Sequence, residues 1–193
     1  MQEDKHLLDK IRRLVEINPG QLSVEEYLTV AKIIKMRKPC NILIFGVGKD
    51  SRLWSELNKN GKTVFIEDNP IFFNRIKEEI PNIEVELVQY GTKRKQYMEL
   101  LNDHKKLEMD LPKEILTEKW DIIFVDAPVG YSDETPGRMQ SIYMASWLAT
   151  QSYNTHVIVH DCDREVEKVY CDTFFAEKHF LLNVMKLRLY LVV

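Results

Sequence analysis

His160-Asp161-Cys162-Asp163-Arg164-Glu165 gathers more ionisable chemistry into six residues than the start of a helix requires. It follows directly on the apolar run His156-Val157-Ile158-Val159. Histidine is the natural general base near neutral pH. A neighbouring carboxylate can orient it, or the group can hold a divalent metal ion. A second apolar run, Ile122-Ile123-Phe124-Val125, delivers Asp126 and then Pro128, Gly130 and Tyr131. If both runs are adjacent parallel strands, their carboxyl ends open on one crevice. His160, Asp161 and Asp126 are therefore the candidate catalytic residues, with Asp126 and Asp161 the candidate metal ligands. Plainer explanations exist for each. A strand-end Asp is often a turn residue, and a strand-end His a satisfied structural group. Asp163 suits the N-cap of the next helix, and Glu165 favours its positive end. Capping alone does not need so many polar residues in a row.

A different chemistry is written earlier in the chain. The apolar run Asn41-Ile42-Leu43-Ile44-Phe45 ends in Gly46-Val47-Gly48-Lys49-Asp50-Ser51. Glycines after a strand allow a tight turn and close approach of the backbone to a ligand. About twenty residues on, a second apolar run ends in Glu67-Asp68, where a carboxylate can accept from ribose hydroxyls. A dinucleotide site prefers a third glycine where this chain has Ser51, which favours S-adenosylmethionine over NAD. Gly46, Gly48, Asp50, Ser51, Glu67, Asp68 and Asp126 are the candidate cofactor contacts. On the substrate side stand Tyr131, Arg138, Asp163 and Arg164. The two arginines suit a substrate carboxylate. Equally, they suit structural ion pairs with Asp126, Asp133 or Glu165. Lys93-Arg94-Lys95 reads as a solvated face.

The elements that must position these residues alternate. Two helices open the chain, about His6–Ile17 and from a Ser23/Glu26 capping box to about Arg37. Strands are expected over 41–45, 62–66, 84–88, 121–125 and 156–160, each followed by a helix, and two more strands over 180–193. Asn69-Pro70 should start a helix whose Phe72, Ile76 and Ile80 share one face. Residues 93–118 read as a solvated helix and loop. Alternation predicts a mostly parallel sheet with helices on both faces. The fold class is therefore α/β, Rossmann-like, with a seven-stranded sheet. By analogy of fold it fits the S-adenosylmethionine-dependent methyltransferase type, with the last strand antiparallel. Residues 1–38 form a helical extension packed on a domain of residues 39–193.

A net charge of -3 leaves no basic excess for general nucleic-acid binding. Cys40, Cys162 and Cys171 form no CxxC pair, so neither a disulfide framework nor a zinc site is expected. The charged N-terminus shows no secretory signal, and no apolar run reaches the length of a membrane span. A soluble, cytoplasmic protein is the expectation.

The motifs have company. Pro39 to Gly48 with Asp50, Ser51 and Trp54, then Phe65-Ile66-Glu67-Asp68, resemble the plant glucuronoxylan 4-O-methyltransferases and the related irregular-xylem proteins. Trp120-Asp121, Val125-Asp126-Ala127-Pro128, Gly130-Tyr131, Pro136-Gly137-Arg138-Met139 and Ile142-Tyr143 extend the match. His160-Asp161 with Asp163-Arg164-Glu165-Val166-Glu167 completes it. The similarity runs from about residue 20 to the C-terminus; where the plant glycine loop usually has histidine, this chain has Lys49. The resemblance implies methyl transfer from S-adenosylmethionine to a hydroxyl of an acidic sugar, polysaccharide or small hydroxylated metabolite. It places Gly46, Gly48 and Glu67 on the cofactor, and Asp126, Tyr131, Arg138, His160, Asp161 and Arg164 around the acceptor. His160 or Asp161 would then be the base, or Asp126 and Asp161 would hold a divalent ion. Two other readings stand beside it: a non-catalytic partner in polysaccharide assembly, and an NAD-dependent oxidoreductase.

Overall fold

Strand β1 (Asn41–Phe45) lies at the centre because almost every side chain in it is buried. That is the mark of a parallel strand covered on both faces. It pairs in parallel with β2 (Lys62–Glu67) on one side and β4 (Ile122–Val125) on the other. Outside β2 lies β3 (Glu84–Leu87), and outside β4 lies β5 (Thr155–Val159), both also parallel. The closing hairpin of β6 (Phe180–Val184) and β7 (Leu187–Val192) adds β7 antiparallel to β5. The order β3-β2-β1-β4-β5-β7-β6 reverses direction between β1 and β4. That reversal is where an open α/β sheet leaves a crevice for a ligand. The structure is a computed structural model and describes residues 2–193.

Period-two alternation divides the core into two layers. Leu43, Phe45, Val64, Ile66, Ile123, Val125, Val157 and Val159 face one side. There they meet α8 (Met139–Gln151) and α9 (Glu165–Phe174). Ile42, Ile44, Phe65, Ile122, Phe124 and Ile158 face the other. Ile11 of α1 (Gln2–Ile17), Tyr27 of α2 (Val24–Arg37), Trp54 of α3 (Ser51–Leu57) and Ile76 of α4 (Pro70–Glu79) cover them. The two N-terminal helices are thus part of a core layer. Among the described residues, no helix is long and apolar enough to cross a membrane.

The capping signals act as read. Ser23 Oγ accepts from the Glu26 amide while Glu26 Oε2 accepts from the Ser23 amide. Asn69 Oδ1 accepts from the Ile71 amide with Pro70 at the first helical position. Three expectations need correction. Residues 93–118 are not simply a solvated face. They fold into a 3₁₀ turn and the short helices α5 (Tyr97–Leu100), α6 (His104–Leu107) and α7 (Lys113–Thr117). Leu100, Leu107, Met109, Leu111 and Ile115 from this stretch are buried in the first layer. Phe72 does not share the buried face of Ile76; it is 48% exposed and lines the cleft described below. Asp163 does not cap α9. The cap position is Arg164, with no side-chain cap bond, and Asp163 is exposed with Lys186 3.9 Å away.

Candidate active site

A cleft of about 440 Å³ opens over the carboxyl ends of β1, β2 and β4, beside the turn after β5. The half expected to hold a cofactor is built on the β1 turn. Gly46 has φ +111°, and a Cβ there would lie 2.9 Å from the Ala127 Cβ. The first turn is thereby pressed against the turn after β4. Glu67 accepts from the Val47 amide at 2.9 Å and from the Asn69 amide at 2.8 Å. One buried carboxylate thus fixes both the β1 and β2 turns, each of its oxygens keeping a lone pair. Asp68, half-buried, also lines the cleft, and burial raises its carboxyl above the ordinary range.

Asp50 is buried at the cleft wall and accepts from the Tyr27 hydroxyl at 3.2 Å. Burial, reinforced by the charge of Asp126, pushes its carboxyl up to about 6. Burial also raises the Tyr27 phenol, so it stays a donor. Ser51 does not reach the cleft. Its hydroxyl, fully buried, accepts from the Gly48 amide at 2.9 Å and braces the turn. Lys49 donates to the Ile17 carbonyl, tying the turn to the end of α1.

The other half, where an acceptor is expected, is organised by Arg138. Its Nη2 lies 2.7 Å from Asp161 Oδ2 and 3.2 Å from Asp126 Oδ1. Nη1 donates to the His160 carbonyl at 2.8 Å and Nε to the Pro128 carbonyl at 3.4 Å. With its donors so engaged, Arg138 is no free clamp for a substrate carboxylate; of the two readings, the internal ion pair is the one present. Arg164 differs. It touches Asp161 at 3.0 Å but is 35% exposed and lines the cleft. Tyr131 stands at the mouth, 77% exposed. Lys93 and Lys95 pair with Glu134, and Arg94 with Asp133, pinning the loop that carries Tyr131.

His160 is not placed to act as a base on a ligand. It is buried, and its Nδ1 donates to Asp126 Oδ1 at 2.8 Å. Its Nε2 turns away to Glu26 Oε1, 3.8 Å off, on the α2 side of the sheet. The Glu26 carboxylate also accepts from the Lys186 amide, so it joins α2 to the final hairpin. Burial works against the imidazolium, but the Asp126 hydrogen bond and the Asp126 and Asp161 charges outweigh it. His160 is therefore held above its ordinary value. For Asp126, burial alone would raise the carboxyl; His160 and Arg138 reverse that and hold it low.

A group raised above its unfolded value stabilises most while both states are protonated. The His160 contribution is therefore complete below about pH 6.5 and fades as pH climbs through the folded value. Urea midpoints should fall between pH 6 and pH 8.5 in the native chain and fall less in His160→Gln. Parallel pH curves for the two would refute a protonated His160.

The residues expected to hold a metal already share a cation. Asp126, His160 and Asp161 offer ligand atoms within 4.8 Å of one another. The Arg138 guanidinium already sits between the two carboxylates and supplies their positive partner. These residues do not fit a divalent ion.

Several cleft residues carried no signal in the sequence. Asn18, Gly20 and Gln21, from the turn between α1 and α2, form one wall, and Phe72 and Arg75 of α4 another. Nothing in the spacing of residues 18–21 distinguishes a cleft wall from a helix break.

The IRX15/IRX15L/GXM family profile matches residues 25–109 and 104–190. Arabinogalactan O-methyltransferase 2 of Arabidopsis thaliana is 34% identical over 190 residues, covering 86% of this chain and 65% of that protein. Glucuronoxylan 4-O-methyltransferase 1 of the same plant is 35% identical over 195 residues, covering 91% and 69%. The chain thus spans about two thirds of the length of these curated relatives. A Staphylococcus aureus protein assigned as a caffeoyl-CoA O-methyltransferase shares the fold. Its TM-score is 0.55 at 15% identity, over 96% of this chain and 92% of that one. Sequence profile and curated relatives agree, and this chain belongs to the IRX15/IRX15L/GXM family.

Proposed function

We propose that this chain is an S-adenosylmethionine-dependent O-methyltransferase acting on a hydroxyl of a sugar, in a polysaccharide or a smaller glycan. The observation that carries the reading is the single cleft shared by the two halves. Gly46, Asp50, Glu67 and Asp68 line it on one side, and Asp126, Tyr131, Asp161 and Arg164 on the other. The names of the relatives support the reaction class. When bound, the cofactor supplies an electrophilic methyl on a sulfonium.

The chain's own residues do the rest. The Gly46 turn packs on Ala127 too closely to admit a Cβ and presents its backbone to the cleft. Glu67 and Asp68 stand where ribose hydroxyls would donate. Asp50 gives its wall of the cleft negative character suited to a sulfonium or an ammonium. Phe72 and Ile76 provide apolar surface for a base. Tyr131 offers an exposed ring on which a sugar face can pack, and Arg164 a cation for an acidic sugar. Alignment of acceptor oxygen with the methyl carbon is the main catalytic contribution expected of such a cleft.

Calorimetric titration with S-adenosylmethionine, S-adenosylhomocysteine and NAD tests the reading. Binding of the first two and not of NAD is expected. Binding of none would favour a non-catalytic partner, and NAD alone an oxidoreductase. Affinity should also depend on pH. Asp50, with its carboxyl near 6, is mostly neutral at pH 5 and mostly charged at pH 7. S-adenosylmethionine should therefore bind about tenfold more weakly at pH 5 than at pH 7. Asp50→Asn should bind weakly at both values. An unchanged pH response in that variant would remove Asp50 from the cofactor site.

A further inference from the structure

Glu167, in the first turn of α9, is fully buried, and neither of its carboxyl oxygens has a hydrogen-bond partner in the chain. A buried carboxyl in that state is costly and asks for a reason. Its surroundings supply one. A Cβ built on Gly130 would lie 3.1 Å from Glu167 Oε1, 3.6 Å from Arg164 Nη1 and 3.5 Å from the Gly137 Cα. Gly130 and Arg164 also line the cleft. The backbone of one glycine therefore touches the cleft on one side and the carboxyl on the other. Both ends of the 130–137 loop meet over Glu167, and Gly137 has φ +70°. From outside, the loop is held by ion pairs to Lys93, Arg94 and Lys95, by the Arg94 and Lys95 amides donating to the Thr135 and Asp133 carbonyls, and by the Thr92 hydroxyl donating to the Pro136 carbonyl. Of these, the exposed lysine pairs exchange readily with water.

We propose that Glu167 is the proton acceptor of the methyl-transfer step, uncovered when the 129–137 loop lifts at Gly130 and Gly137. This rests on the O-methyltransferase reading above. The other acidic groups of the acceptor half are engaged: Asp126 by His160 and Arg138, Asp161 by Arg138 and Arg164. Glu167 keeps its lone pairs. Burial raises its carboxyl, partly offset by the charges of Arg138 and Arg164 and reinforced by Asp161. A carboxylate so raised is the stronger base. In the step, the acceptor oxygen forms the new bond to the methyl carbon. The carbon–sulfur bond breaks and its electron pair stays on sulfur. The hydroxyl proton passes to Glu167, giving a methyl ether, S-adenosylhomocysteine and a protonated Glu167 that later returns its proton to water. A side chain at Gly130 would press on the Glu167 carboxyl from the cleft side.

Two measurements on the full chain decide it. The first is treatment with a water-soluble carbodiimide and glycine ethyl ester, read by peptide mass spectrometry. Glu167 should label within minutes to hours, despite its burial, because the loop opens. A Glu167 that stays unlabelled while the fold is intact overturns the proposal. The second compares Glu167→Gln with the native chain for labelled methyl transfer to a panel of acidic oligosaccharides. Turnover should fall about 10²–10⁴-fold, as removal of a general base does. Thermal midpoint and S-adenosylmethionine affinity should hold, since the amide keeps the shape. The native rate should rise with pH through a value above the ordinary glutamate range, and that limb should vanish in the variant. Turnover within threefold of native overturns the proposal. A native chain that binds S-adenosylmethionine yet methylates nothing would sink the functional reading first, and this assignment with it.

Discussion

Replacing Arg138 with methionine is expected to destabilise the protein by about 3–5 kcal/mol, the cost of breaking a buried ion pair from one side. The argument is local. The Arg138 side chain is 5% exposed and Asp161 6%, with 2.7 Å between them. Removing the cation leaves Asp161 with only the partly exposed Arg164 and Asp126 with only His160. It also frees the His160 and Pro128 carbonyls. Methionine fills similar volume, so a cavity adds little. Urea unfolding of the native chain, R138M, D161N and the double variant would measure the coupling. The double variant should be more stable than R138M alone, because the uncompensated carboxylate is gone. Strict additivity would mean the pair is not coupled. R138M should also acquire a manganese-dependent rise in thermal midpoint that the native chain lacks. An equal rise in the native chain would restore the metal reading of Asp126, His160 and Asp161.

The central strands were legible because hydrophobicity is written into them without interruption. Asn41–Phe45 and Ile122–Val125 are covered on both faces, so few positions can be polar. The caps at Ser23 and Asn69 were legible because their hydrogen bonds are local in sequence. Residues 93–118 were not, for the opposite reason. Leu100, Leu107, Met109, Leu111 and Ile115 reach the core from three short helices separated by turns, so they follow no single period. The site divides in the same way. The identity of its carboxylates could be read at the strand ends, as could an arginine partner for Asp126; the two arginines on Asp161 could not. His160 is the instructive error. It shares parity with Ile158, which faces the α2 layer, while Val157 and Val159 face the other. Period-two alternation alone sends its imidazole toward Glu26. Asp161, with φ +62°, then turns the chain so that its carboxylate meets Arg138 at the cleft. Tyr27 reaches the site from α2, distant in sequence, and reads as an ordinary helix residue until the layers are assembled.

Gly46→Ala should abolish measurable S-adenosylmethionine binding and cost about 2–5 kcal/mol of stability, adding backbone strain to overpacking. At φ +111° an L-residue is strained whatever the free space. Here there is none, because the new methyl would meet the Ala127 Cβ at 2.9 Å. Ala127 follows Asp126 directly, so relief of the contact moves the acceptor half as well as the cofactor half. Gly48→Ala provides the internal control. Its φ is not positive, and its Cβ would meet only the Asp50 carboxylate oxygen, at 2.9 Å, which side-chain rotation can relieve. That variant should keep its thermal midpoint within a few degrees while losing cofactor affinity through a displaced Asp50. Denaturation and calorimetry of the two variants therefore separate a turn that holds the fold from one that only shapes the cofactor wall. If Gly46→Ala binds the cofactor as the native chain does, the first turn is not the cradle, and the reading of the cleft as a nucleoside site fails with it.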